Sequence, residues 1–148
     1  MFECLIMGDS IAVGSHSHRP RCELVARTGL SSRSWWQRYK QHNFKAHTVI
    51  VSLGSNDTDS VSSYRQLLQI REQITAHTVY WIAPNATSRG QQLADVEAVA
   101  RQFGDSVIRT DKYSADRIHP THSGYRELMN QTLKPSQGAA LCTNTNSG

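Results

Sequence analysis

Apolar residues along this chain fall into short runs, separated by stretches in which they recur every three or four positions. The runs read as strands: "FECLIM" (2–7), "CELVART" (22–28), "HTVIVSL" (47–53), "TVYWIAP" (78–84) and a weaker "DSVIRT" (105–110). Gly29, Gly54 and Pro84 close the second, third and fourth, as turn-forming residues should. The third and fourth runs are continuous rather than alternating, the pattern of strands covered on both faces. Between them the period lengthens. Val61, Tyr64, Leu67, Leu68, Ile70 and Ile74 predict a helix within 60–76, and Leu93, Val96, Val99, Ala100 and Phe103 another within 88–103, with Gly104 at its C-terminal cap. Tyr125, Leu128, Met129 and Leu133 predict a last helix over 121–133. Repeated strand–helix alternation predicts an α/β fold: a three-layer αβα sandwich around a central, mostly parallel five-stranded sheet, flavodoxin-like in outline.

A length of 148 residues fits one domain. Its expected extent is 1–134, followed by a polar tail over 135–148 rich in Gly, Ser and Asn. The charge changes the picture little. Sixteen basic against twelve acidic residues leave +4, and the basic residues are scattered apart from Arg33, Arg38 and Lys40. No nucleic-acid partner is expected. Cys4, Cys22 and Cys142 are an odd and widely spaced set, so no disulfide framework is expected, and Cys4 reads as a small apolar strand residue. No stretch approaches the roughly 20 apolar residues of a membrane span. The short apolar start contains Glu3 and lacks a basic leader, so no signal peptide is expected and the chain is placed in the cytoplasm at synthesis, with later export left open.

The candidate chemistry sits at the ends of the strands, where ligands of open parallel sheets bind. "GDS" (8–10) follows the first strand, "TG" (28–29) the second, "GSND" (54–57) the third, and "DRIHP" (116–120) lies between the fifth strand and the last helix. Taken singly, each motif is an ordinary turn. In this order they resemble the SGNH hydrolases, or GDSL esterases and lipases, over roughly residues 3–129. The resemblance implies Ser10 as nucleophile, Asp116 and His119 as its triad partners, and an oxyanion hole from the backbone N–H groups of Ser10 and Gly29 and the side chain of Asn56. The second block is the weakest match: Gly29 fits best as its glycine, with Ser32 in "GLSS" (29–32) the alternative alignment. The same resemblance implies ester substrates, with short O-acyl groups on a carbohydrate the leading class and lysophospholipids or thioesters the alternatives.

The residue types suit that chemistry on their own account. A serine hydroxyl needs a base, and an unperturbed imidazole titrates at about 6.5. An aspartate three residues before the histidine can turn back onto its other ring nitrogen. Asp9 and Asp57 read as loop braces. His122 is the rival base, while His16 and His18 lack partners at metal-ligand spacing. No cofactor and no metal are expected. Trp35 and Trp36 leave open a sugar-binding rim or one ring in the core, and Trp81 reads as core. Pocket walls are expected from the connections after the second and fourth strands. Neither connection carries an apolar groove for a long acyl chain, which favours acetyl. The competing function class is a non-catalytic binding module on a flavodoxin-like sheet, and the oligomeric state is undetermined.

Overall fold

The computed structural model describes residues 2–133, so the expected tail at 135–148 and Cys142 lie outside the described residues. Five strands, β1 (Phe2–Gly8), β2 (Glu23–Ala26), β3 (Phe44–Ser52), β4 (Ile74–Ile82) and β5 (Ser106–Ile108), alternate with α1 (Ser10–His16), α2 (Ser32–Tyr39), α3 (Tyr64–Glu72), α4 (Gly90–Phe103) and α5 (His122–Gln131). The sheet order is β2-β1-β3-β4-β5 and every pair is parallel. This is the expected α/β sandwich, and the flavodoxin-like order reverses direction between β1 and β3. No described helix is long and apolar enough to cross a membrane.

Strand alternation divides the core in two. Leu5 and Met7 face a layer containing Trp35, Leu67, Ile70, Val96 and Val99, from α2, α3 and α4. Cys4 and Ile6 face the opposite layer of Ile11, Ala12, Leu128 and Met129, from α1 and α5. The central strands β1, β3 and β4 therefore each carry a run of consecutive buried and mostly apolar residues, which explains the continuous runs. Trp35 is fully buried, with Trp36 packed partly against the same layer. One ring of that pair is core, and so is Trp81.

Two strands begin earlier than their apolar runs. β3 starts at Phe44 and β4 at Ile74, and these two residues pair in register. Ile74 keeps its expected burial but belongs to a strand rather than a helix. α3 stops at Glu72, where the Gln73 carbonyl accepts the Phe44 N–H at 2.8 Å. The connection after β2, expected only as a pocket wall, contains α2.

The cysteine expectation is corrected. Cys4 and Cys22 form a disulfide, with Cα atoms 4.6 Å apart. The register explains it: Leu5 lies opposite Glu23, so the preceding residue of each strand falls side by side at the sheet edge. Eighteen residues of separation conceal a nearest-neighbour contact that appears only once β1 and β2 are aligned.

Candidate active site

Asp9 and Ser10 stand where β1 ends, at the point where strand order reverses. Gly8 has φ +139°, and a Cβ there would lie 1.9 Å from the Ser52 carbonyl oxygen. Only glycine lets β1 come so close to β3, and the next residue uses that approach, its N–H donating to the Ser52 carbonyl at 3.0 Å. The Asp9 side chain then caps α1. Its Oδ1 accepts the Ile11 N–H at 3.0 Å and the Ser52 hydroxyl at 2.9 Å. Oδ2 is buried with no hydrogen-bond partner among the described residues. Burial pushes the Asp9 carboxyl up to about 6, against the hydrogen bonds to Ser52 and the helix N–H groups. Asp9 braces the turn, as read from the sequence.

Ser10 begins α1, and its Oγ lies 2.7 Å from His119 Nε2. His119 Nδ1 in turn lies 2.6 Å from Asp116 Oδ2. Asp116 Oδ1 accepts the backbone N–H groups of Ile118 and His119 at 2.9 and 3.0 Å. Those two backbone bonds, with the His119 side chain next, pull the Asp116 carboxyl down to about 2. An ionised carboxylate only accepts, so the ring proton sits on Nδ1 and Nε2 offers its lone pair to the serine hydroxyl. The rival base His122 packs instead against His18, with ring centroids 4.8 Å apart. Burial, then His122 and Arg126, lower the His18 pKa. His16 Nε2 is 2.9 Å from the Cys22 carbonyl oxygen. Among the described residues, no cluster of three or more His, Cys, Asp or Glu side chains could hold a metal ion.

The loop bearing Asp116 and His119 closes on itself. Ser114 N–H donates to the His119 carbonyl and Arg117 N–H to the Ser114 carbonyl, at 2.8 and 2.9 Å. Arg117 adopts φ +61°, a conformation costly for a residue with a Cβ. Its carbonyl is held from outside by Asn85 Nδ2 at 2.8 Å and Ser88 Oγ at 2.6 Å. Sequence reasoning missed both residues. The one available signal is the small polar cluster "NATS" (85–88), which reads from the sequence only as part of an expected pocket wall.

The third and second blocks meet beside Ser10. Asn56 Nδ2 donates to the Leu30 carbonyl at 3.0 Å, which ties the loop after β3 to the turn after β2 and, among the described residues, leaves the amide's second hydrogen unspent. Asp57 binds the Ser32 N–H (2.8 Å), the Ser32 hydroxyl (2.7 Å) and the Ser63 hydroxyl (2.5 Å). The Ser32 N–H is thereby consumed. Gly29 has φ +85° with open space around its Cα, and no described residue accepts its N–H. Of the two candidates for the second block, Gly29 is the one whose N–H has no acceptor among the described residues.

Similarity to known proteins is confined to the fold. No family model matches the sequence, and no curated protein does. Among solved structures, the chain is similar to the C-terminal catalytic domain of peptidoglycan O-acetyltransferase A from Streptococcus pneumoniae, solved with a methylsulfonyl adduct. The match covers 99% of this chain and 96% of that one at a TM-score of 0.58 and 13% identity. At that identity the two chains share an architecture: an all-parallel five-stranded sheet with helices on both faces.

Proposed function

We propose that the protein is a serine esterase of the SGNH type, removing short acyl groups, acetyl above all, from a carbohydrate. The observation that carries this reading is the unbroken proton path from Ser10 Oγ to His119 Nε2 (2.7 Å) and from His119 Nδ1 to Asp116 Oδ2 (2.6 Å). Ser10 Oγ attacks the ester carbonyl carbon as its proton passes to Nε2, and the carbonyl π pair moves onto oxygen. Asp116 stays ionised and steadies the imidazolium. The Ser10 and Gly29 N–H groups and the free hydrogen of Asn56 donate to the new oxyanion, each worth ~2.7–4 kcal/mol in the transition state. Collapse expels the sugar alkoxide, which leaves with the proton from Nε2. Water, activated by the same imidazole, then releases the acid and restores Ser10.

A second reading keeps the acyl-enzyme and changes the acceptor. The fold is shared with an O-acetyltransferase domain, which supports a sugar hydroxyl taking the place of water in the second half-reaction. Against it stands the exposure of the site: the His119 and Asp116 side chains are 39% and 48% exposed, so water reaches the acyl-enzyme freely. A fluorophosphonate probe tests the shared chemistry, with the adduct expected on Ser10 and absent from Ser10→Ala. An adduct on Ser55 or Ser15, or none, overturns the assignment. Mass analysis of products with an excess sugar acceptor then separates hydrolysis from transfer.

A further inference from the structure

The site does not end at Asn56. A cleft of about 550 Å³ opens beside it, between the start of α2, the loop after β3 and the first turns of α3. That volume lies within the roughly 300–1,000 Å³ typical of small-molecule sites. Asn56 lines this cleft, so an ester whose carbonyl oxygen met Asn56 would direct one of its two arms toward it. Two arginines, Arg33 and Arg65, line the cleft. Neither makes an ion pair or hydrogen bond to any described residue, whereas Arg71 is committed to Asp105 and Arg89 to the Ser55 carbonyl. Asp57 is the one lining carboxylate, and Ser32 and Ser63 already occupy its two oxygens.

The remaining wall suits a sugar. Gln66 Nε2 donates to Gln69 Oε1 at 2.8 Å, which leaves Gln66 Oε1 as an acceptor and the Gln69 amide Nε2 as a donor for hydroxyl groups. Val61, 72% exposed, offers a small apolar surface at the same place. Unspent guanidinium charge beside amides and one aliphatic contact calls for a ligand that is hydroxylated and anionic. Arginine's planar fork matches a carboxylate in particular.

We infer that this cleft is a subsite for a carboxylate-bearing sugar, so that the carrier of the acyl group is an acidic glycan rather than a neutral one. The inference rests on the esterase reading for the position of the acyl group, but binding in the cleft can be measured without turnover. Two substrates decide it, an O-acetylated methyl glucuronide and the matching O-acetylated methyl glucoside, with 4-methylumbelliferyl acetate reporting bare esterase activity. The wild-type protein is expected to favour the glucuronide by about tenfold or more in kcat/KM, the size of one charge-assisted contact. Raised salt should narrow that ratio. In Arg33→Ala/Arg65→Ala the ratio should collapse toward one, whatever happens to the absolute rates, and both side chains are exposed enough for the variant to fold.

Binding is measured in parallel on Ser10→Ala by NMR titration with the two non-acetylated methyl glycosides. Tighter binding of methyl glucuronide, with shifts mapping to Arg33, Arg65 and Gln69, supports the subsite. Equal binding of the two glycosides, or a ratio near one in the wild type, overturns it. Cleavage of methylumbelliferyl acetate without charge preference removes the acidic glycan and leaves the esterase. Charge-selective binding with no cleavage of any ester removes the esterase and leaves the subsite.

Discussion

Two aspartates flank the serine from opposite sides, and the fold treats them in opposite ways. Asp9 is wholly buried under the end of β1, one oxygen engaged and the other without a partner, and its carboxyl is pushed up to about 6. Asp116 lies at the surface, its oxygens taken by two backbone N–H groups and an imidazole, and is pulled down to about 2. Burial disfavours the charged form and donated hydrogen bonds favour it, so a residue of one type yields a brace on one side and a permanent anion on the other. Ser10 is held from the core by the end of β1 and the Asp9 cap of α1. His119 is held from the solvent side by a short self-bonded loop. Rigidity on the serine side and access on the histidine side are what the proposed relay would require.

The sharpest way to break this comparison is to neutralise each aspartate in turn. Asp116→Asn keeps the shape but can put an amide N–H donor against Nδ1, which moves the ring proton to Nε2 and loses the productive tautomer. In a comparable triad that change costs ~10⁴ in kcat. Asp9→Asn retains an acceptor oxygen for Ile11 and Ser52 and is expected to lower kcat less than about tenfold, since only the brace is altered. Steady-state rates on a nitrophenyl acetate measure both. Equal losses in the two variants would mean that the buried aspartate belongs to the proton path.

The disulfide tests the claim that the serine side is anchored through the core. Closing a loop with an 18-residue separation restricts the unfolded chain by about 3 kcal/mol. Cys4→Ser/Cys22→Ser should lower the unfolding free energy by about that amount in a denaturant titration, and reduction of the wild type should do the same. The proton relay needs no sulfur, so kcat should hold at temperatures where the variant stays folded. A variant of unchanged stability would mean that the pair makes no bond in solution.

These two sides were not equally legible in the sequence. The elements and the motif order could be read because buried strands need continuous apolar runs and turns need Gly, Asp and Asn. Ser10, Asp116 and His119 lie in local patterns, and the structure brings them within hydrogen-bond distance. What could not be read depends on register. The Cys4–Cys22 contact requires β1 and β2 to be aligned. The choice between Gly29 and Ser32 requires Asp57 to arrive from another loop and consume the Ser32 N–H. The wall of the cleft was expected from the connections after β2 and β4. The loop after β3 supplies most of it, because α2 and α3 lie side by side on that face, while the connection after β4 turns toward the histidine loop. Ile74 was misplaced for a related reason: helix and strand periods both put it inward, and only its pairing with Phe44 separates them.

Asp9 also predicts a pH dependence of stability with a definite sign. Its folded pKa, about 6, lies above the ordinary aspartate value of 3.8. Below pH 3.8 both states carry the proton and there is no penalty. Between 3.8 and about 6 the unfolded chain ionises while the folded one stays protonated, so stability falls as pH rises. Above that range the full cost persists, on the order of 2–3 kcal/mol. Asp116 works the other way: its contribution is present above 3.8 and lost as pH falls toward about 2. The difference between wild type and Asp9→Asn cancels the other groups. It should slope through pH 4–6, and a flat difference would show that the buried carboxyl does not titrate there.

The smallest effect concerns the histidine side. Arg117 holds φ +61° inside the Asp116–His119 loop, and such backbone costs roughly 1–2 kcal/mol unless its surroundings hold it. Asn85 Nδ2 and Ser88 Oγ supply that hold through the Arg117 carbonyl. Asn85→Ala removes one of the two bonds, and a neutral hydrogen bond is worth about 1 kcal/mol net. Because Ser88 remains, the loop should stay in place most of the time and kcat should fall by about two- to tenfold, the equivalent of that energy. KM should barely move, since neither residue lines the cleft beside Asn56. Asn85→Asp should be worse than alanine, because a carboxylate would face the carbonyl it replaces a donor to. Amide hydrogen exchange at Ile118 and His119 gives the readout that a purely structural role would not move: their N–H groups bond to Asp116, so protection there should drop while the strands keep theirs. Loss of global stability with kcat unchanged would make Asn85 a fold-holding residue with no part in positioning the base.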